Sequence, residues 1–144
     1  MHKETQKSNI RYANINVSKF SQFELKKEFN KDSKPSINFK TNFKFKVLLE
    51  KNLLICITSV NVSIIETGEL YSELVVENEF EVKPLSKILK RDEDKYFNIP
   101  VEILRTILSF STSTLRGILF EKSKGTIIQN EIYPLFDPST ILKD

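Results

Sequence analysis

The segment INFKTNFKFKVLL, residues 37–49, alternates between two classes of side chain with a period of two. One class is Ile37, Phe39, Thr41, Phe43, Phe45, Val47 and Leu49. The other is Asn38, Lys40, Asn42, Lys44 and Lys46. Successive side chains of a β-strand point to opposite faces of the sheet, so the mainly apolar class shares one face. The pattern predicts an antiparallel strand with one face in the core and one in water.

Two further strand-like runs follow, LLICITSVNVSII after residues 50–52 and LYSELVVENEFEV after the turn ETGE. Gly68 in that turn is free to adopt a positive φ. Leu53, Ile55 and Ile57 add apolar side chains to a second face of the first run, which predicts that it is covered on both sides for part of its length. The outer face of the second run carries Glu73, Glu77, Glu79 and Glu81. These carboxylates and the preceding lysines either pair across strands or form a solvated face.

An earlier strand is predicted between residues 10 and 29, where the alternation breaks between Val17 and Phe20 and indicates a bulge or bend. Residues 31–36, KDSKPS, have the composition of a turn. Residues 1–9 are polar, so we expect a flexible N-terminus followed by one domain over residues 10–144. Four meandering antiparallel strands followed by helical elements predict a two-layer α+β fold.

A helical period replaces the strand period after Pro100. The apolar stripe falls at i, i+3, i+4, i+7, i+11, i+14 and i+15, on Leu104, Ile107, Leu108, Ser111, Leu115, Ile118 and Leu119. Proline favours the first helical position and Gly125 follows two lysines, so the helix is expected from about residue 100 to 124. Gly117 lies inside it at a cost of about 1 kcal/mol.

The middle of this helix is rich in hydroxyl side chains, which are mediocre helix formers. They are Ser109, Ser111, Thr112, Ser113 and Thr114. Close approach of another helix or of a sheet would offset their cost, and Arg116 would then hydrogen-bond carbonyls or a carboxylate across the contact. The alternative is that a short helix breaks here and the hydroxyls cap a second one.

The segment TIIQNEIYPLFDPSTIL, residues 126–142, mixes apolar side chains with two prolines. Proline belongs at an edge of a sheet or outside it, so this segment is expected to lie extended over an apolar surface. It either covers its own helix and sheet or lines a groove. The final DPSTIL is expected to start a short C-terminal helix, with Asp137 as the cap and Pro138 in the first position.

Composition argues against several functions. The 144 residues include one Cys, one His at the polar N-terminus, three Gly and no Trp. We therefore expect no disulfide, no catalytic triad, no enzyme activity and no cofactor, and Cys56 is expected to be a buried small hydrophobe. The first ten residues have no apolar core and no apolar run reaches about 20 residues, so we expect no signal peptide and a cytoplasmic protein without a membrane span. A net charge of +3 leaves nucleic-acid binding by Lys40, Lys44 and Lys46 as an alternative, although no aromatic side chains interleave with them.

Three parts of the chain together resemble the SecB protein-export chaperones and their SecB-like relatives. YANINVSKFSQFE is similar to the opening strand of that family, and LLICITSVNVSIIETGELYSELVVENEFEVKPL is similar to its third and fourth strands. ILSFSTSTLRGIL followed by IIQNEIYPLFDPSTIL is similar to its main helix, extended connection and short final helix. The resemblance covers roughly residues 10 to 142 and implies a four-stranded sheet packed with one long and one short helix.

The resemblance implies an ATP-independent holdase that binds unfolded polypeptides, precursor proteins for export above all, and passes them to the translocation motor. It also implies a homotetrameric dimer of dimers with helices packed between the dimers. A SecB-like chaperone dedicated to another client, such as an antitoxin, is the alternative. The implied peptide-binding candidates are Phe20, Phe23, Ile127, Ile128, Ile132, Tyr133, Leu135 and Phe136. The implied oligomer-interface candidates are Ser109, Thr112, Ser113, Arg116 and Gly117.

Overall fold

The computed structural model describes residues 9–26, 29, 34–91 and 97–134. The long strands are β1 (Asn9–Gln22), β2 (Ile37–Leu48), β3 (Leu53–Ile64) and β4 (Leu70–Lys83). A short helix α1 (Leu85–Ile88) precedes the two-residue strands β5 (Lys90–Arg91) and β6 (Phe97–Asn98) and the helix α2 (Val101–Lys122). Four antiparallel strands and a long helix give the predicted α+β class.

The strand order is β1-β4-β3-β2. Strands β2, β3 and β4 form the predicted meander, but the prediction of four meandering strands is wrong for β1, which pairs with β4. The long connection between β1 and β2 is not a tight hairpin turn, so β1 is free to reach the other edge of the meander. Val17 pairs with Val76 and Lys19 with Val75, so the register shifts at the predicted bulge.

The core lies between α2 and one face of the sheet. Alternate residues of β3 and β4 are buried under the helix, as period two requires. The turn at Gly68 has a φ of +73°, and Gly125 after the helix has a φ of +79°. Both glycines therefore adopt the left-handed conformation that the sequence predicts for a turn and a helix end.

Helix α2 is continuous across its hydroxyl-rich middle, so the alternative of a broken helix is wrong. Ser111 is fully buried and lies next to the buried thiol of Cys56 on β3. Two small side chains facing each other let the helix backbone approach the sheet closely. Thr112 donates its hydroxyl to the carbonyl of Ser109, three residues earlier in the same helix. The small residues therefore serve at least in part to pack this helix on its own sheet.

Cys56 is the buried small hydrophobe that the sequence predicts. Burial raises the pKa of its thiol to about 11. Because the thiolate is the reactive form, we expect no reaction of the folded protein with a thiol reagent at pH 8 and rapid reaction after unfolding in urea. Absorbance of the released chromophore measures this directly.

The same raised pKa links stability to alkaline pH. The folded state holds the Cys56 proton more tightly than the unfolded state, whose thiol pKa is near 9. The corresponding stabilisation is complete below pH 9 and is lost as the pH rises to about 11, with an upper limit of about 3 kcal/mol. Cys56→Ala should flatten this part of the stability profile, and an unchanged profile would contradict the assignment.

Several predicted features lie outside the described residues. They are residues 1–8 of the polar N-terminus, the candidates Leu135 and Phe136, and the short C-terminal helix. Within the described ranges, no helix is long and apolar enough to cross a membrane. The same part of the chain holds no cluster of three or more His, Cys, Asp or Glu side chains arranged for a metal ion.

Candidate polypeptide-binding surface

The segment after α2 folds back over the β2 side of the domain. Arg116 donates from Nε to the carbonyl of Tyr133 at 3.1 Å and from Nη2 to the carbonyl of Pro134 at 3.0 Å. The Tyr133 ring packs edge-on against Phe39 of β2, and its hydroxyl contacts Thr41. This segment therefore covers its own helix and sheet, which is one of the two alternatives given by the sequence.

The predicted peptide-binding residues separate into two groups. Ile128 and Tyr133 are buried in the core of the protomer. Phe23 is 41% exposed and Ile132 is 65% exposed. Phe20 and Ile127 are half-buried, so four of the described candidates remain accessible to a client. Leu135 and Phe136 lie beyond the described residues.

An apolar strip that sequence reasoning missed lies on the opposite side of α2, along β1. Ile15 is 46% exposed and Val17 is 37% exposed. They pair with Asn78 and Val76 of β4, which are buried beneath the helix, so their side chains lie on the helix side of the sheet. Sequence alternation marks both as core residues, and only the position of β1 at the sheet edge exposes them.

Helix α2 forms the other wall of this strip. The ring of Tyr12 on β1 lies 6.0 Å from the ring of Phe110 in an edge-on arrangement. The Tyr12 hydroxyl hydrogen-bonds the Thr114 hydroxyl at 2.9 Å. Phe110 itself is 51% exposed, which is unusual for a large aromatic side chain next to the core. Burial raises the pKa of Tyr12, so its hydroxyl stays neutral at physiological pH.

The strip continues beyond the middle of the helix. The Lys122 ammonium lies 5.1 Å from the centre of the Phe20 ring. Past Phe20 the surface opens into two adjoining depressions of about 610 and 740 Å³ that share Phe29 and Ile127 in their walls. Phe23 lines the larger of the two. We call the whole path the β1 groove, defined by Tyr12, Ile15, Val17, Phe20, Phe23, Phe110 and Ile127.

The width of a helix explains why this groove is open. Helix α2 packs against β3 and β4. An α-helix is about 10 Å across and strands are about 4.8 Å apart, so one helix covers about two strands. The segment held by Arg116 covers the β2 side. Of the residues that the structure describes, none gives the β1 side a comparable cover, and its apolar side chains face solvent.

The predicted oligomer-interface residues do not share one surface. Ser109, Ser113 and Gly117 are exposed on α2. Thr112 is buried against the rest of the domain. The guanidinium of Arg116 donates hydrogen bonds to carbonyls of its own chain. Because Thr112 is buried, it is not accessible to a second copy of the chain. The hydrogen bonds of Arg116 are intramolecular and form without a second copy.

The charged residues of the other sheet face are also separated. β3 lies between the lysines of β2 and the glutamates of β4, so the two sets do not pair across adjacent strands. Instead Glu81 binds Arg11 at 3.0 Å and Glu73 binds Lys19, both on β1. A glutamate strip about 10 Å from the lysines weakens the nucleic-acid alternative, because it repels the phosphates that the lysines would attract.

Comparison with protein-family models and with curated proteins finds no match for this chain. The structure is similar to that of a SecB-like chaperone from Mycobacterium tuberculosis in complex with a peptide from an antitoxin. The TM-score is 0.55 at 8% identity, covering 88% of this chain and 83% of the other. A Streptococcus agalactiae protein of unknown function gives a TM-score of 0.44 at 10% identity, covering 90% and 97%. The first likeness supports a SecB-like fold.

Proposed function

We propose that this protein is an ATP-independent holdase chaperone that binds unfolded or non-native polypeptides along the β1 groove. The observation that carries the proposal is the strip of exposed and half-buried apolar side chains along β1, on a SecB-like fold. Contacts of this kind stabilise any client with apolar side chains and select weakly for sequence. No phosphate-binding loop and no catalytic group is needed for such a function.

The edge position of β1 adds a second source of affinity. β1 pairs with β4 on one side and is the terminal strand of the sheet. Its other edge presents backbone donors and acceptors to an extended chain, which can bind by adding a strand. Backbone pairing is independent of client sequence, while the groove takes the apolar side chains of the added strand.

The client class follows from the same reasoning. Precursor proteins kept unfolded for export fit the proposal, with the translocation motor as a further partner. A dedicated client, such as an antitoxin, is the alternative within the same function, and the peptide-bound M. tuberculosis chaperone supports it. The two differ in breadth, because an export chaperone protects many unfolded proteins and a dedicated chaperone protects one.

The test is light scattering by chemically unfolded client proteins diluted into buffer with and without this protein. We expect suppression of aggregation without ATP, and a discrete complex with the unfolded client by size-exclusion chromatography with light-scattering detection. The folded form of the same client should not bind. Aggregation that proceeds unchanged for every unfolded client would contradict the proposal.

The outward side of α2 is proposed to pack against another copy in a dimer of dimers. A Cβ added at Gly117 meets no atom within 4 Å, so the protomer itself has room for alanine. Gly117→Ala is therefore expected to raise the stability of the protomer by about 1 kcal/mol. If two helices approach closely at Gly117, the same substitution should weaken the oligomer.

Chemical denaturation and sedimentation velocity of Gly117→Ala measure the two effects separately. Ser113→Ala is the matched control, since it lies one turn away on the exposed side and adds no atoms. If Gly117→Ala makes the protomer more stable and leaves the oligomer unchanged, the oligomer contact does not lie at Gly117.

A further inference from the structure

The sheet face that points away from α2, here called the outer face, has a three-part pattern. Its middle is apolar, since Leu53, Ile55 and Ile57 of β3 lie there half-buried. The β2 side of this face carries lysines and the β4 side carries glutamates. The strand order places the apolar band between the two charged strips.

The register aligns these side chains in rows across the sheet. Ile57 pairs with Lys44 on one side and with Glu77 on the other. In the next row, Ile55 pairs in the same way with Lys46 and with Glu79. Each row therefore has the order cation, apolar side chain, anion. The two charges of a row lie two strand spacings apart, roughly 10 Å, which is beyond direct contact.

Lys44, Lys46, Glu77 and Glu79 form no ion pair among the described residues. The ion pairs of the described residues join Arg11 and Lys83 to Glu81, Lys19 to Glu73, and Lys124 to Glu121. None of them includes the four charges of the two central rows. The apolar band is flanked on both sides by charges that have no ion-pair partner among the described residues.

We infer that the outer face binds the outer face of a second copy of this chain, about a two-fold axis that runs parallel to β3. A rotation of 180° about this axis places β2 of one copy over β4 of the other. Each row keeps its position along the strand direction. Ile57 then lies over its own copy, Lys44 of one protomer faces Glu77 of the other, and the reciprocal pair forms as well. The row of Ile55 behaves in the same way.

The charge pattern selects this axis over the other face-to-face arrangement. A two-fold axis perpendicular to the strands would place the lysine strip over the lysine strip and the glutamate strip over the glutamate strip. That arrangement is repulsive, whereas the parallel axis makes every central row complementary. The parallel axis also keeps the strands of the two sheets roughly aligned, as in packed β-sandwiches.

The size of the overlap suits a reversible dimer. Strands of 12 and 14 residues are about 40 Å long, and the axis along β3 superposes only β2, β3 and β4, which at a spacing of about 4.8 Å are about 14 Å wide. The overlap is therefore roughly 550–600 Å² per partner, near the lower end of the range for specific interfaces. The groove and the outward side of α2 are on the other face of the sheet, so this contact is independent of the proposed chaperone function.

Sedimentation velocity of the full chain over a concentration series tests the inference. We expect a reversible dimer that weakens at high salt, because exposed ion pairs are screened. Lys44→Glu with Lys46→Glu places like charges in opposition and should weaken dimerisation at least about tenfold. Adding Glu77→Lys and Glu79→Lys to the same chain restores complementarity, so the fourfold variant should recover to within about threefold of the natural affinity.

The rescue distinguishes a second copy from any other occupant, since reversing all four charges would impair binding of a nucleic acid or of a partner with fixed charges. A fourfold variant that dimerises no better than the lysine variant would overturn the inference. A chain that stays monomeric at every concentration would also overturn it. Circular dichroism checks that each variant is folded.

Cross-linking locates the contact. Ile57→Cys lies on the proposed axis, so a short bis-maleimide should join two copies there, while buried Cys56 does not react. Ser113→Cys on the opposite face reports the helix-packed contact of the proposed dimer of dimers. Cross-linking at residue 113 alone would overturn the outer-face dimer and leave the proposed helix contact standing. Cross-linking at residue 57 supports the outer-face dimer whatever residue 113 does.

Discussion

Phe80→Ala is expected to lower the free energy of unfolding by about 3–5 kcal/mol, a large effect for the truncation of one side chain. Phe80 is 1% exposed and is the largest fully buried side chain among the residues that the structure describes. It packs under the helix, and its ring lies 4.4 Å from the ring of Tyr12. Truncation leaves a cavity and removes the support of that second ring.

The measurement is urea denaturation followed by circular dichroism. A domain of this size has about 5–15 kcal/mol of stability, so the variant should unfold at a much lower denaturant concentration. Phe80→Leu keeps most of the volume and should cost about 1–1.5 kcal/mol. A loss below 1 kcal/mol for the alanine variant would mean that the β1–β4 pair does not form the described core.

The loss should extend to function through Tyr12. This side chain contacts Phe80 on one side and Phe110 and Thr114 of α2 on the other. It therefore sets the distance between β1 and the helix at one end of the β1 groove. The core and the proposed binding surface share this residue, so we expect Phe80→Ala also to weaken binding of an unfolded client.

The sequence was sufficient for the parts of the fold that depend on local periodicity. β2, β3 and β4 alternate because each has one face in the core, under α2 or under the segment that follows it, and the stripe of α2 has a helical period because one side of it faces the sheet. Gly68 and Gly125 were predictable because their positions need a positive φ. Cys56 was predictable as core from its β-branched neighbours.

Non-local features were not predictable. The partner of β1 depends on which edge of the meander is free, and alternation within β1 is the same for either edge. Ile15 and Val17 look like core residues, and their exposure depends on how many strands one helix covers. Arg116 was predicted to reach carbonyls, but that these belong to residues 133 and 134 of its own chain depends on how the chain turns after Gly125.

Val17→Asp combined with Phe110→Ser is expected to abolish most of the protection of an unfolded client. The two side chains lie on opposite walls of the β1 groove, and both are exposed in the free protein. A client would bury the remaining area of each, which is worth about 1 kcal/mol per side chain. Loss of both should therefore weaken client binding by roughly 30-fold, and the new carboxylate adds a desolvation cost on the strand wall.

Phe120→Ser is the matched control. Phe120 is 44% exposed on the same helix, but it lies beside Lys124 on the outward side and not in the β1 groove. The control removes an exposed aromatic area similar to that of Phe110 alone, so its client affinity should stay within about twofold of the natural protein, whereas Phe110→Ser by itself should weaken binding by roughly fivefold. Both variants change exposed side chains, and their denaturation midpoints should be close to that of the natural chain.

The comparison separates a specific groove from general surface hydrophobicity. Equal losses in both variants would mean that exposed apolar area acts wherever it lies, and the β1 groove would have no special role. A loss confined to the groove variant would mean that clients bind where the helix leaves an edge strand uncovered. A SecB-like sheet would then bind unfolded chains because one helix is too narrow to cover four strands.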